Sequence, residues 1–384
     1  GKAGGCIPEP GGLVLSLASL SAIRSVRPEH GWAEVEPGVI TGAFRDEMAE
    51  AGLFYAPDPA SLDRCTLGGN VATNAGGPVA LAYGVTGRHV LGLTAVLPDG
   101  SVIETGRRQP KDVAGLDLTS LLVGSEGRLA VLVGLRLALL PLPREVRAAA
   151  LGFATLSDAT AALVDARRAG VQPRAMELVD PVTLGRVRRV GGTAAAFGLD
   201  DRSICAVLVE VDGPEGTADR CLAALIDGLR AAPSEVLPAR TPHARAALWE
   251  ARRAMSGRVK EGAAGWISED IAVPLGAMAQ VAERLHALAA AHALTVATYG
   301  HAGDGNLHVN VLWDDESGAE RVPALLDAVM ALAIGVGGTI TGEHGVGRAK
   351  ARWLPTQLGA RNLTLQRAIK AAWDPQGILN PGLG

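Results

Sequence analysis

Pro141-Leu142-Pro143 ends a Leu- and Val-rich run, Leu129–Leu140, that reads as one long strand, and the pattern differs on its two sides. Proline fixes φ and lacks an amide donor, so two within three residues stop a strand ladder. A domain boundary is therefore expected there, dividing the chain into residues 1–143 and 144–384. Before it, strands and turns predominate. Leu13–Leu17 alternates like a strand, Ala33-Glu-Val-Glu-Pro-Gly38 reads as a strand ending in a turn, and Val90–Leu97 and Ser101–Thr105 flank Asp99-Gly100 as a hairpin. A helix is expected over Thr41–Ala51 with Thr41 as its N-cap.

After the boundary the periods alternate. Arg147–Phe153, Ser157–Ala169 and Arg174–Val179 read as strand, helix and strand, and Ile204–Val211, Gly216–Ala231 and Ser234–Pro238 repeat that order. This pseudo-repeat predicts an α+β domain with an antiparallel sheet and helices on one face. Helices are expected over Pro242–Met255, Leu275–Ala291, Ala319–Gly335 and Asn362–Trp373. Thr295–His301 and Leu307–Trp313 should pair as strands through Gly303-Asp304-Gly305-Asn306, bringing His301 and His308 to one end of a sheet.

The chain has 384 residues, 48% of them hydrophobic, enough for two or three domains with sizeable cores. The net charge is −4 and no long basic run occurs, which argues against a nucleic-acid partner. Cys6, Cys65, Cys205 and Cys221 form no C-x-x-C pair, and a reducing cytoplasm suits them. The most apolar stretch, Leu129 to Leu142, contains Arg136 and Pro141 and is too short to span a bilayer. Contact with the inner face of a membrane, with a partner subunit, or with a second copy as a homodimer is compatible with this composition. The first residue is Gly rather than Met, so the chain is expected to be truncated or processed.

Two segments concentrate chemistry: Tyr299-Gly-His301-Ala-Gly-Asp304-Gly-Asn306-Leu-His308-Val-Asn310 and Thr341-Gly-Glu343-His344-Gly-Val-Gly347. Two imidazoles and a carboxylate can hold a divalent metal, leaving a third imidazole to move a proton. A lone His is more often structural than a ligand; it is the joint set that favours a metal. Asp304 reads as a turn former. A third segment, Leu67-Gly68-Gly69-Asn70-Val-Ala-Thr73-Asn74-Ala-Gly76-Gly77, reads as a glycine-rich loop with bare amides suited to a flat or anionic ligand.

These segments, with Pro57-Asp58-Pro59-Ala-Ser61, Tyr83-Gly84, Val96-Leu-Pro-Asp-Gly100, Val123-Gly-Ser-Glu-Gly127 and Gly377-Ile-Leu-Asn-Pro-Gly382, stand in the order seen in FAD-linked 2-hydroxyacid oxidases and dehydrogenases. The chain resembles that group, which includes glycolate oxidase large subunits, D-lactate dehydrogenases and D-2-hydroxyglutarate dehydrogenases. The resemblance implies a vanillyl-alcohol-oxidase or PCMH-type FAD domain over 1–143, lacking its first lobe, and a substrate domain over 144–384 whose tail, 376–384, returns to the flavin. It implies FAD contacts at Gly4, Gly5, Asp58, Ser61, Gly68, Gly69, Asn70, Asn74, Gly76, Gly77, Tyr83, Gly84, Glu126, Gly127, Leu129 and Asn380. Arg128 and Ala130 depart from the family's usual residues beside Glu126-Gly127.

The resemblance further implies metal ligands at His301, His308 and Glu343, with Zn²⁺ suiting the donors best and Mn²⁺ or Fe²⁺ as alternatives. It assigns His344 as general base, and Arg252, Ser256 and Asn310 as substrate contacts. The expected reaction is oxidation of a small D-2-hydroxy acid, lactate- or glycolate-like, by hydride transfer to flavin N5. Ser268 stands where some dicarboxylate-using members carry Lys, which points to a smaller acid. Oxygen, a quinone, a cytochrome or an electron-transfer flavoprotein could accept the electrons. Competing readings are a redox-neutral enzyme like alkyl-dihydroxyacetone-phosphate synthase, a metallohydrolase, and a non-catalytic FAD-binding subunit.

Overall fold

A computed structural model describes residues 1–106, 109 and 111–383; Gly384, the last residue of the expected tail, lies outside them. The architecture is α+β, as the pattern predicts, in two compact units: Gly1–Leu142 with Glu343–Gly384, and Pro143–Gly342. The transition at Pro143 is thus accompanied by a second one after Gly342. Among the described residues no helix is long and apolar enough to cross a membrane.

The first unit runs β1 (Ile23–Arg27), β2 (Trp32–Val35), α1 (Thr41–Glu50), β3 (Leu53–Phe54), α2 (Leu67–Thr73), α3 (Ala80–Tyr83), β4 (Val90–Val96), β5 (Val102–Gly106), α4 (Leu118–Leu122), β6 (Val131–Ala138) and β7 (Leu140–Pro141). Its five-stranded sheet has the order β1-β2-β6-β4-β5, every pair antiparallel. Leu132 and Leu135 of β6 are both buried despite their odd separation, because the register with β4 shifts between Thr94 and Ala95. Such a bulge turns an extra residue outward and restores the inward face. Phe44, Met48, Tyr55, Leu67, Val71, Leu122 and Leu137 fill the core, each large side chain contributing about 1.5–3 kcal/mol.

Three expectations fail in this unit. Leu13–Leu17 is not a strand; Leu13, Val14 and Leu15 are exposed and form no ladder. Thr41 does not cap α1 but is its first residue, and its hydroxyl accepts from Asn70 Nδ2 at 2.8 Å. Leu67–Thr73 is not a bare loop but a helix, capped by the Thr66 hydroxyl and ended by Asn74 in the left-handed region. Packing explains one of its glycines: a Cβ on Gly68 would lie 2.5 Å from Pro37.

The second unit runs β8 (Glu145–Phe153), α5 (Leu156–Ala166), β9 (Ala175–Val179), α6 (Pro181–Ala195), β10 (Cys205–Gly213), α7 (Ala218–Asp227), β11 (Glu235–Ala239), α8 (Pro242–Arg258), β12 (Gly265–Ala272), α9 (Met278–Ala291), β13 (Thr295–Gly300), β14 (Asn306–Trp313) and α10 (Gly318–Gly335). Its antiparallel sheet has the order β11-β8-β10-β9-β13-β14-β12. Leu184 and Val187 of α6 and Leu248 and Met255 of α8 pack with Ala148, Ala150, Ala206 and Leu208, while α5, α7, α9 and α10 also pack on the sheet.

Helix α6 was not anticipated, yet its start is marked. Asp180 caps it through the Thr183 amide at 2.7 Å, and Pro181 occupies the position where proline is best tolerated. The last helix, α11 (Leu354–Trp373), belongs to the first unit and is broken at Gly359, whose φ is 75°.

Candidate functional site

Residues directly opposite in a sheet share a face. In the second unit the register sets Glu177 opposite Leu208, Tyr299 opposite Val179 and His308, Asp270 opposite His308, and Asn310 opposite Ala297 and Ser268. One face of β9, β13, β14 and β12 therefore carries Glu177, Tyr299, His308, Asn310, Asp270 and Ser268. His301 follows just beyond β13, and Ala302–Asp304 turn the chain back into β14 through Gly305 at φ 92°. A Cβ on Gly305 would fall 2.2 Å from the Val273 carbonyl oxygen. The Asp304 carboxylate accepts from the Asn306 amide at 3.4 Å, in keeping with a turn former. The hairpin brings the rings of His301 and His308 to 5.2 Å, nearly perpendicular, with Tyr299 5.4 Å from His308. All three are buried.

The central group is Glu177, which the sequence analysis did not single out. Its Oε1 lies 2.5 Å from His301 Nδ1. A carboxylate only accepts, so Nδ1 carries the hydrogen and Nε2 the lone pair. Its Oε2 takes Arg252 through Nε at 2.7 Å and Nη2 at 2.5 Å. Burial disfavours the charged carboxylate, but Arg252 and His301 outweigh burial and hold the Glu177 carboxyl below the ordinary range. The Arg252 guanidinium also lies over the Tyr299 ring at 4.6 Å. Helix α8 turns Arg245, Trp249 and Arg252 towards the sheet, where Arg245 and Trp249 meet Glu210. Ser256 lies half-buried one turn beyond Arg252.

Asp270 is a second unanticipated acid. It is fully buried and accepts from Asn306 Nδ2, the Thr341 hydroxyl and the Gly342 amide, the last at 2.7 Å. A Cβ on Gly342 would come 1.8 Å from Asn306 Nδ2. Asn310 is fully buried as well; its Oδ1 accepts from the Ser268 hydroxyl at 2.6 Å and its Nδ2 donates to Ala297 O at 3.1 Å. An acid inside an apolar strand is the signal that could have found Glu177, because buried carboxylates are almost always paired.

In the first unit, several residues matched to FAD contacts hold the loops themselves. Asp58 Oδ1 accepts from the Val79 amide, and a Cβ on Gly77 would fall 2.5 Å from the same oxygen. Asn70 donates to Thr41, and Asn74 accepts from the Gly87 amide. The Tyr83 ring packs on Phe54 and its carbonyl meets His89 Nε2, with Gly84 following at φ 80°. Ser61 is partly buried and its carbonyl accepts from the Cys65 amide. Leu129 lies in the core. Gly69, in contrast, is exposed at the start of α2, and a Cβ there would meet only the Thr66 hydroxyl at 3.2 Å. Gly76 adjoins the Glu343 carboxylate, 3.0 Å from a Cβ placed on it. Of these two glycines, only Gly69 leaves its backbone uncovered, where a flat ligand could approach.

The loop after Glu343 is clasped by Glu126, whose two oxygens accept from the Val346 and Gly347 amides at 2.7 and 2.9 Å. Asn380 Nδ2 donates to the Glu126 carbonyl, and both residues have positive φ. A Cβ on Gly127 would press on that same amide. Gly4 and Gly5 border Ala3, whose carbonyl accepts from Arg348 and Ala349. The His344 and Glu343 side chains stand 3.9 Å apart, beyond hydrogen-bond reach.

Comparison with known proteins follows these features. A model of the C-terminal domain of FAD linked oxidases matches residues 142–383, and an FAD binding domain model matches residues 2–106. The chain is 37% identical to glycolate oxidase subunit GlcD of Bacillus subtilis, covering 99% of this chain and 80% of that one. It is 31% identical to a D-lactate dehydrogenase of Anaerostipes hadrus, covering 100% and 82%. Among solved structures, p-cresol methylhydroxylase aligns at TM-score 0.77 and 15% identity over 96% of this chain and 79% of that one. Alkyldihydroxyacetonephosphate synthase aligns at 0.70 and 16% over 94% and 66%. At such identities the likeness is one of fold alone.

Proposed function

The chain belongs to the FAD-linked oxidases, and from that premise we propose that it oxidises a small D-2-hydroxy acid, lactate- or glycolate-like, to the 2-oxo acid with help from a divalent metal. The observation that supports this most is the His301–His308 pair on one hairpin, with Glu177 holding His301 and Arg252 beside it. Metal-binding imidazoles characteristically give their other nitrogen to a carboxylate. Glu343 is the proposed third ligand, and two imidazole nitrogens with one carboxylate oxygen suit Zn²⁺ and also Mn²⁺ or Fe²⁺. Its neighbour Gly342 is anchored on Asp270, the residue opposite His308.

When bound, the metal would supply Lewis acidity towards the hydroxyl oxygen and FAD would supply the two-electron acceptor. His344 takes the hydroxyl proton as general base. Arg252 holds the carboxylate. Two of its N–H groups face Glu177, so the Nη1 pair and one Nη2 hydrogen serve the substrate. Asn310 adds a donor, with Ser268 fixing its oxygen, and Ser256 borders the carboxylate. Ser268 offers no second cation, in keeping with a small monocarboxylate. FAD is held by backbone of the 4–5, 58–61, 68–84 and 126–129 segments and by Asn380. A quinone, a cytochrome, an electron-transfer flavoprotein or oxygen reoxidises it, and the reaction is cytoplasmic or at the inner face of a membrane.

The test is anaerobic mixing of the FAD-loaded protein with a panel of D- and L-2-hydroxy acids. Loss of the oxidised-flavin absorbance with a small D-acid is expected. A flavin that no member of the panel bleaches would sink the proposal.

A further inference from the structure

Glu177 is fully buried in a central strand and accepts from an imidazole through Oε1 and from a guanidinium through Oε2. Its contacts close a ring: Glu177 to His301, His301 to His308, His308 to Tyr299, Tyr299 to Arg252, and Arg252 back to Glu177. In such a ring, neither the imidazole nor the guanidinium can turn without disturbing the other. We propose that Glu177 is a positioning residue that couples metal binding to substrate-carboxylate binding, Oε1 setting the tautomer and direction of His301 and Oε2 the plane of Arg252. This inference rests on the metal and carboxylate roles proposed above.

Glu210 supplies the control. It lies buried on the same face, and it takes Arg174, Arg245 and Trp249. A carboxylate that merely pinned α8 to the sheet would behave as Glu210 does.

The experiment titrates Mn²⁺ into chelator-treated, FAD-loaded protein and measures steady-state kinetics with the 2-hydroxy acid that bleaches the flavin. Glu177→Gln leaves a single acceptor oxygen, which cannot serve both partners. Mn²⁺ affinity should fall about tenfold or more, and KM should rise about tenfold. Saturating Mn²⁺ should restore kcat and leave KM high, because mass action refills the metal but does not realign Arg252. Glu210→Gln should leave both quantities within about twofold of wild type. Glu177→Asp keeps the charge, draws both oxygens back by one methylene, and should show the same split; it decides the matter if the Gln variant does not fold. If His301→Ala abolishes Mn²⁺ binding while the Glu177 variants bind Mn²⁺ and substrate like wild type, the coupling is refuted and the metal site stands. If His301→Ala binds Mn²⁺ like wild type, the metal reading falls and this inference with it.

Discussion

A guanidinium carries five N–H groups, and Arg252 directs two of them at one oxygen of Glu177 while its face covers Tyr299. Lysine has a charge but neither the fork nor the plane. Arg252→Lys should therefore raise KM for the hydroxy acid about tenfold or more, with a smaller change in kcat, as read by initial rates over a substrate series. An unchanged KM would remove Arg252 from the carboxylate site. His301 and His308 drew notice as imidazoles among glycines, whereas Arg252 was singled out only through the family resemblance, since an Arg on a helix is ordinary. Glu177 and Asp270 were not, since Arg174–Val179 and Trp266–Pro274 read as ordinary strands and nothing local shows what an acid faces. Only the register does.

Strand pairs and helix ends carry the next level. The β13–β14 hairpin was foreseeable from Gly303-Asp304-Gly305-Asn306, whereas α6 went unnoticed although Asp180-Pro181 marks its start. Asp180 also joins elements: it accepts from the Thr298 amide of β13 and lies 2.7 Å from His286 Nε2 of α9. That hydrogen bond raises the pKa of His286 above its ordinary value despite partial burial. A raised pKa means that the folded state binds the proton more tightly. The stabilisation is full below the unfolded value, about 6.5, and disappears as pH rises through the folded one. Urea midpoints of wild type and His286→Ala should differ most near pH 6 and converge above the folded pKa. A gap that widens with rising pH would contradict this linkage.

At the scale of the molecule, the chain leaves its first unit at Pro143 and rejoins it at Glu343. Glu126 clasps the returning loop through the Val346 and Gly347 amides. Hydrogen bonds to charged groups contribute about 1.5–3 kcal/mol, so Glu126→Ala should speed hydrogen exchange at those two amides roughly tenfold or more. Amides in β10 should exchange as before; equal exchange at Val346 and Gly347 in both proteins would mean that the clasp holds nothing. The α+β class and most strands were determined by the sequence alone, because proline, Asp-Gly turns and hydrophobic period act through the backbone within a few residues. The apolar Leu13–Leu17 misled for the same reason: alternation describes a strand but supplies no partner to pair with. The tertiary structure decided that residues 343–384 belong with the first unit, that Leu67–Thr73 is helical, and that one buried carboxylate joins His301 to Arg252. Each of these depends on contacts between residues tens to hundreds of positions apart, and no local pattern encodes such neighbours.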